Sequence, residues 1–132
     1  MGLRNRLFNA NNEYQNMNKH QRVLCVCSAG LLRSPTAAHV LCQPPYNYNT
    51  RAAGLDESFA LVCVDEVLLE WADKIVTMNE GHRAQLREKL NKLGIRRPIK
   101  VLNIPDDFGY RDPELIELIH ERYKETEYEL GT

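Results

Sequence analysis

Val23-Leu24-Cys25-Val26-Cys27-Ser28-Ala29-Gly30-Leu31-Leu32-Arg33-Ser34-Pro35-Thr36 passes from an unbroken apolar run, through a turn of small residues, into the opening of a helix. An apolar run without alternation reads as a strand buried on both faces, the pattern of a central parallel strand. Ser34 suits a helix N-cap and Pro35 the first helical position. Ligands of open α/β sheets bind beyond the carboxyl ends of strands, so this turn stands where a binding loop belongs.

Downstream the same alternation repeats. A short strand is expected around Thr50–Gly54, after Pro44 and Pro45 have ended the first helix. Asp65 caps a helix through Trp71, and Lys74-Ile75-Val76-Thr77-Met78 is a third strand. Glu80 to Leu93 carries Leu86, Leu90 and Leu93 on one stripe and stops at Gly94. Ile99–Asn103 is a fourth strand, followed by the acidic loop Asp106-Asp107-Phe108-Gly109-Tyr110 and a helix opened by Asp112 and Pro113. Four strand–helix alternations without a repeat predict an α/β fold, a parallel sheet with helices on both faces.

The whole-chain arithmetic agrees. At 132 residues, 43% hydrophobic and 27% charged, the chain is one soluble domain. Seventeen Lys and Arg against 18 Asp and Glu give a net charge of -1, which excludes the basic field of a general nucleic-acid binder. No apolar run approaches the roughly 18 residues of a membrane span, and the first residues lack a signal-type stretch. Residues 1–20 are Asn-rich and predict a flexible tail, leaving 21–132 as the domain. Cys25, Cys27, Cys42 and Cys63 are too few for a disulfide scaffold and lack zinc-ligand spacing, so a reduced, cytoplasmic protein is expected.

Cys27 and Arg33 form C-x5-R-S with Ser34. A loop from Ser28 through Leu32 that aims its amides inward makes an anion nest at the positive end of a helix, and Gly30 permits the left-handed turn such a nest uses. Amides, helix end and arginine together favour a thiolate, the nucleophilic form of cysteine. Arg33 can clamp two phosphoryl oxygens with its fork of donors, and the Ser34 hydroxyl can donate to the sulfur. Those parts suit attack by sulfur on a bound phosphoryl group.

Val26-Cys27-Ser28-Ala29-Gly30-Leu31-Leu32-Arg33-Ser34-Pro35-Thr36-Ala37 resembles the phosphate loop of the low-molecular-weight protein tyrosine phosphatases. Ala72-Asp73-Lys74-Ile75-Val76-Thr77-Met78 is similar to the family's third-strand segment. Ile104-Pro105-Asp106 and Asp112-Pro113-Glu114-Leu115 are similar to those of compact bacterial members. The resemblance covers nearly everything from Arg22 onward. It implies a four-stranded parallel sheet, a phosphocysteine intermediate and no metal or other cofactor. It makes Cys27 the nucleophile, Arg33 the phosphate clamp and Ser34 the hydroxyl that stabilises the thiolate.

Three positions depart from the family. Gly30 stands where Asn is usual, Leu32 where many members have a second cysteine, and the common Asp-Pro-Tyr-Tyr acid loop is missing in that form. The general acid is therefore expected at Asp106, first after the fourth strand, with Asp107 as runner-up; Asp112 reads more simply as a helix cap. Leu31 gives an apolar wall beside the nucleophile, where members acting on arginine phosphate carry a hydroxyl. Tyr46, Tyr48, Phe108 and Tyr110 are candidates to wall an aromatic slot, Tyr110 foremost because it shares the acid loop. Cys25, Cys42 and Cys63 are assigned to packing, as are His39 and His82 to packing or the surface.

The expected activity is hydrolysis of phosphotyrosine-like monoesters, with a phosphorylated protein or small aryl phosphate as partner. One alternative is a phosphate-binding module with weak catalysis. Another is arsenate reduction, which needs two further cysteines in relay downstream of the nucleophile; the sequence offers Cys63 and no cysteine after it, so that relay is not expected.

Overall fold

The apolar run of the first strand dictates the architecture. The computed structural model describes residues 21–28, 33–56, 62–105, 108–109 and 111–130. In chain order they form β1 (Arg22–Cys27), α1 (Arg33–Leu41), β2 (Asn49–Gly54), α2 (Glu66–Trp71), β3 (Lys74–Thr77), α3 (Glu80–Leu93), β4 (Ile99–Val101) and α4 (Pro113–Glu125). The four strands make one parallel sheet in the order β2-β1-β3-β4. This is the fold class that the alternation predicts.

β1 lies inside the sheet and alternates its side chains between two apolar layers. Val23, Cys25 and Cys27 pack with Ala37, Leu41, Leu115 and Ile119 of α1 and α4. Leu24 and Val26 pack with Leu68, Leu69, Leu86 and Leu90 of α2 and α3. Burying a side chain of the Leu or Ile kind contributes about 1.5–3 kcal/mol, so both layers are needed to hold β1 in place. The outer edge of β4 is covered by a chain reversal: Ile99 and Glu129 exchange amide–carbonyl bonds at 2.9 Å in each direction. That pairing blunts an edge which would otherwise recruit another strand.

Local signals set the helix ends. The Asp65 carboxylate accepts from the Leu68 amide at 3.0 Å, and Asp112 accepts from Glu114 at 2.9 Å. Gly94 ends α3 with φ 70°, a left-handed turn that costs glycine little. Two boundaries differ from the sequence reading. α1 reaches back to Arg33, so Ser34 and Pro35 lie inside its first turn rather than at the cap and the first helical position. β4 ends at Val101 rather than Asn103, because Asn103 turns left-handed at φ 55°, which short polar side chains tolerate. The Asn-rich segment 1–20 lies outside the described residues.

Candidate active site

Parallel strands deliver their carboxyl ends to one edge, and the described candidates for chemistry gather there. Cys27 ends β1 with only 3% of its surface exposed. Its thiol donates to the Ser34 hydroxyl oxygen at 3.1 Å, and that hydroxyl donates to the Ala53 carbonyl of β2 at 3.5 Å. Ser34 can serve the sulfur because it sits within the first turn of α1, facing the strand it follows. The hydroxyl is thus fixed by a neighbouring strand, a placing that a cap role would not give.

Arg33 is equally buried, and its Nη1 donates to the Ile104 carbonyl beyond β4 at 2.9 Å. That bond fixes the plane of the guanidinium. An open cleft of about 450 Å³ lies alongside, lined by Ser28, Arg33, Asn79, Asn103, Ile104 and Pro105. Ser28 and Arg33 bracket the segment that the sequence predicts as the phosphate loop. Ala29, Gly30, Leu31 and Leu32 between them lie outside the described residues, as do Asp106, Asp107 and Tyr110.

The exit from β1 is held on one side by β2 and on the other by α3. The Cys27 carbonyl accepts from the Leu55 amide at 3.0 Å, and the Ser28 carbonyl from Asp56 at 2.8 Å. The Ser28 hydroxyl meets His82 Nε2 at 3.0 Å. His82 is buried in the first turn of α3, its amide donating to the Asn79 side chain at 3.0 Å. The sequence reading treated His82 as packing or surface and missed this contact. The signal was a histidine in the first turn of a helix whose preceding strand, β3, neighbours β1.

α1 also grips both ends of the loop after β4. Besides the Arg33–Ile104 bond, the Arg111 amide donates to Thr36 Oγ1 at 2.9 Å. Asn103 and Arg111 are both left-handed, with φ of 55° and 57°. Such residues cost about 1–2 kcal/mol each, a strain that surrounding bonds must offset.

Tyr46 and Tyr48 do not reach this edge. They precede β2 at the amino end of the sheet, packed with Tyr123 at ring separations of 5.3 and 6.3 Å. The slot assigned to them is therefore corrected: α1 runs antiparallel to the strands and carries the chain back to the far edge before they occur. Phe108 packs, half-buried, against the α1–α4 layer. Cys25 and Cys42 are buried thiols outside any disulfide. Burial pushes the Cys25 thiol far up, with Cys27 and Cys42 adding to it, so it stays protonated and inert. Burial and then Arg111 lower the His39 pKa. Among the described residues no group of three His, Cys, Asp or Glu could hold a metal ion, and no helix is long and apolar enough to cross a membrane. A second cavity, of about 200 Å³ between α2 and α3, is lined by Asp65, Lys89 and Lys92 among others, with no cysteine, serine or threonine in its lining.

The sheet order, with Cys27 ending β1 and Arg33 opening α1, defines a parallel α/β fold with helices on both faces. No protein-family model and no curated protein matches the chain by sequence. Among solved structures it is similar to Wzb of Vibrio vulnificus in complex with benzylphosphonate, with a TM-score of 0.62 and 19% identity over 80% of this chain and 96% of that one. It is also similar to the YwlE arginine phosphatase of Geobacillus stearothermophilus, at TM-score 0.57 and 21% identity over 80% and 91% of the two chains. A YwlE mutant from Bacillus subtilis matches at TM-score 0.57 and 20% identity, over 80% and 97%. At such identities the likeness establishes the fold, the one that the loop's resemblance implied.

Proposed function

We propose that the chain is a cysteine-dependent phosphatase of the low-molecular-weight tyrosine phosphatase family, hydrolysing phosphotyrosine-like monoesters through a phosphocysteine. The observation that carries this reading is the meeting of Cys27 with Ser34 at 3.1 Å, while Ser28 and Arg33, which bracket the loop, line one open cleft. The Cys27 thiolate attacks phosphorus, forming the S–P bond as the ester P–O bond breaks. Once the sulfur has lost its proton, the Ser34 contact reverses and the hydroxyl donates to it. Arg33, its plane set by Ile104, clamps the phosphoryl oxygens alongside the amides of residues 28–32. Asp106 gives its proton to the leaving oxygen. The resulting carboxylate then takes a proton from water, which attacks phosphorus, breaks the S–P bond and restores the thiolate.

Leu31 and the loop's likeness to the tyrosine-type members favour an aromatic leaving group. Benzylphosphonate, held by the structurally similar Wzb, is an aromatic phosphonate of that kind. The arginine phosphatase among the similar structures marks the competing substrate class. Turnover of aryl phosphates in EDTA decides the reading. Cys27→Ser is expected to lower it about 10³-fold or more. Asp106→Ala should slow poor leaving groups more than good ones; equal losses remove Asp106 from the acid role. A parent chain that binds phosphate or vanadate without turnover would instead be a binding module.

A further inference from the structure

We propose that His82 is a positioning residue that orients the Ser28 hydroxyl as a donor to the bound anion; this rests on the phosphatase reading above. Ser28 follows the nucleophile directly and faces the cleft beside Arg33 and Asn79. Its backbone is held by the Asp56 amide at 2.8 Å, and that of Cys27 by Leu55 at 3.0 Å. With the main chain held, the side-chain rotamer decides where the hydroxyl points, and three staggered positions compete. The 3.0 Å contact with His82 Nε2 selects one of them.

His82 is itself a rigid partner. It is 3% exposed, sits in the first turn of a 14-residue helix, and its amide is tied to the capping Asn79 side chain. When Nε2 carries the ring proton, the imidazole donates to Ser28 Oγ, leaving the hydroxyl hydrogen for an acceptor in the cleft. A phosphoryl oxygen is such an acceptor, and the contact strengthens as charge gathers there in the transition state. With the opposite tautomer the hydroxyl would turn its lone pairs on the anion. The anion-loaded state therefore selects Nε2–H. His82 acts only through Ser28, which links α3 to the phosphate loop across a sequence separation of 54 residues.

A double-mutant cycle tests this, with competitive inhibition by vanadate and kcat/KM for an aryl phosphate as readouts. Ser28→Ala and His82→Leu should each weaken vanadate binding by about fivefold, the loss expected for one oriented hydrogen bond. The double variant should be no worse than either single one. His82→Gln, which keeps an amide donor near the Nε2 position, should stay within about twofold of the parent. Losses that multiply in the double variant would assign His82 to packing and overturn the proposal. So would Ser28→Ala binding vanadate as the parent does, a comparison that holds even where His82→Leu fails to fold. A parent that binds no vanadate sinks the phosphatase reading itself, a result distinct from either.

Discussion

At the amino edge of the sheet, the Tyr123 hydroxyl meets those of Tyr48 and Tyr128 at 3.1 and 2.9 Å, and Lys100 donates to the Tyr123 carbonyl at 2.7 Å. The same ammonium lies 3.6 Å from the Tyr123 ring centroid. At the carboxyl edge of the same layer, Ser28 and Arg33 instead line an open cleft, where the Ser28 hydroxyl meets His82 Nε2 and Arg33 Nη1 donates to the Ile104 carbonyl. Burial pushes the Tyr123 and Tyr128 hydroxyls up, so they stay protonated and bond to one another rather than to a ligand. The difference separates polar burial that closes the fold from polar burial that prepares a site.

The largest expected effect that would break this contrast is at Arg33. Arg33→Lys keeps the charge and loses the planar fork, so kcat/KM for aryl phosphates should fall by roughly 10²–10³. A loss under threefold would mean that the fork is not used on substrate. Next is Tyr123→Phe, which removes the hydroxyl joining Tyr48 and Tyr128. It should cost about 1–3 kcal/mol in urea denaturation while kcat/KM stays at the parent value. An activity loss without a stability loss would reverse the roles of the two edges.

The smallest effect lies on α1, which spans both edges. Burial, then Arg111, hold the His39 pKa below the ordinary 6.5. The unfolded chain therefore takes up a proton before the folded one does as pH falls below 6.5. Stability is full above that pH and declines from there down through the folded pKa. His39→Gln should flatten this part of a stability–pH curve and leave the region above about pH 7.5 unchanged. An unaltered slope would remove His39 from the linkage.

What the chain revealed in advance was local. Asp65, Gly94 and Asp112-Pro113 act on residues within a few positions of themselves, and the helix ends fall where they predict. Cys27 and Ser34 are seven residues apart across one strand–helix junction, so their 3.1 Å contact was within reach of spacing arguments. The Ser28–His82 contact spans two crossovers and depends on β3 lying beside β1, which no local pattern reports. The Tyr46 and Tyr48 assignment failed for a topological reason. A loop that leads into a parallel strand lies at the amino edge, however aromatic it is.

The place of β1 between β2 and β3 has a consequence for how the molecule opens. Segments with few long-range bonds unfold locally at little cost, whereas amides of an interior strand exchange with solvent only when the whole domain opens. The sulfur of Cys27 is attached to the last such strand residue, with Leu24, Cys25 and Val26 before it fully buried. The backbone that carries the sulfur is therefore held for as long as the sheet is. Exchange of the Cys27 amide is therefore expected only when the domain opens, and a Cys27 thiol that reacts in the native state reacts from an intact sheet.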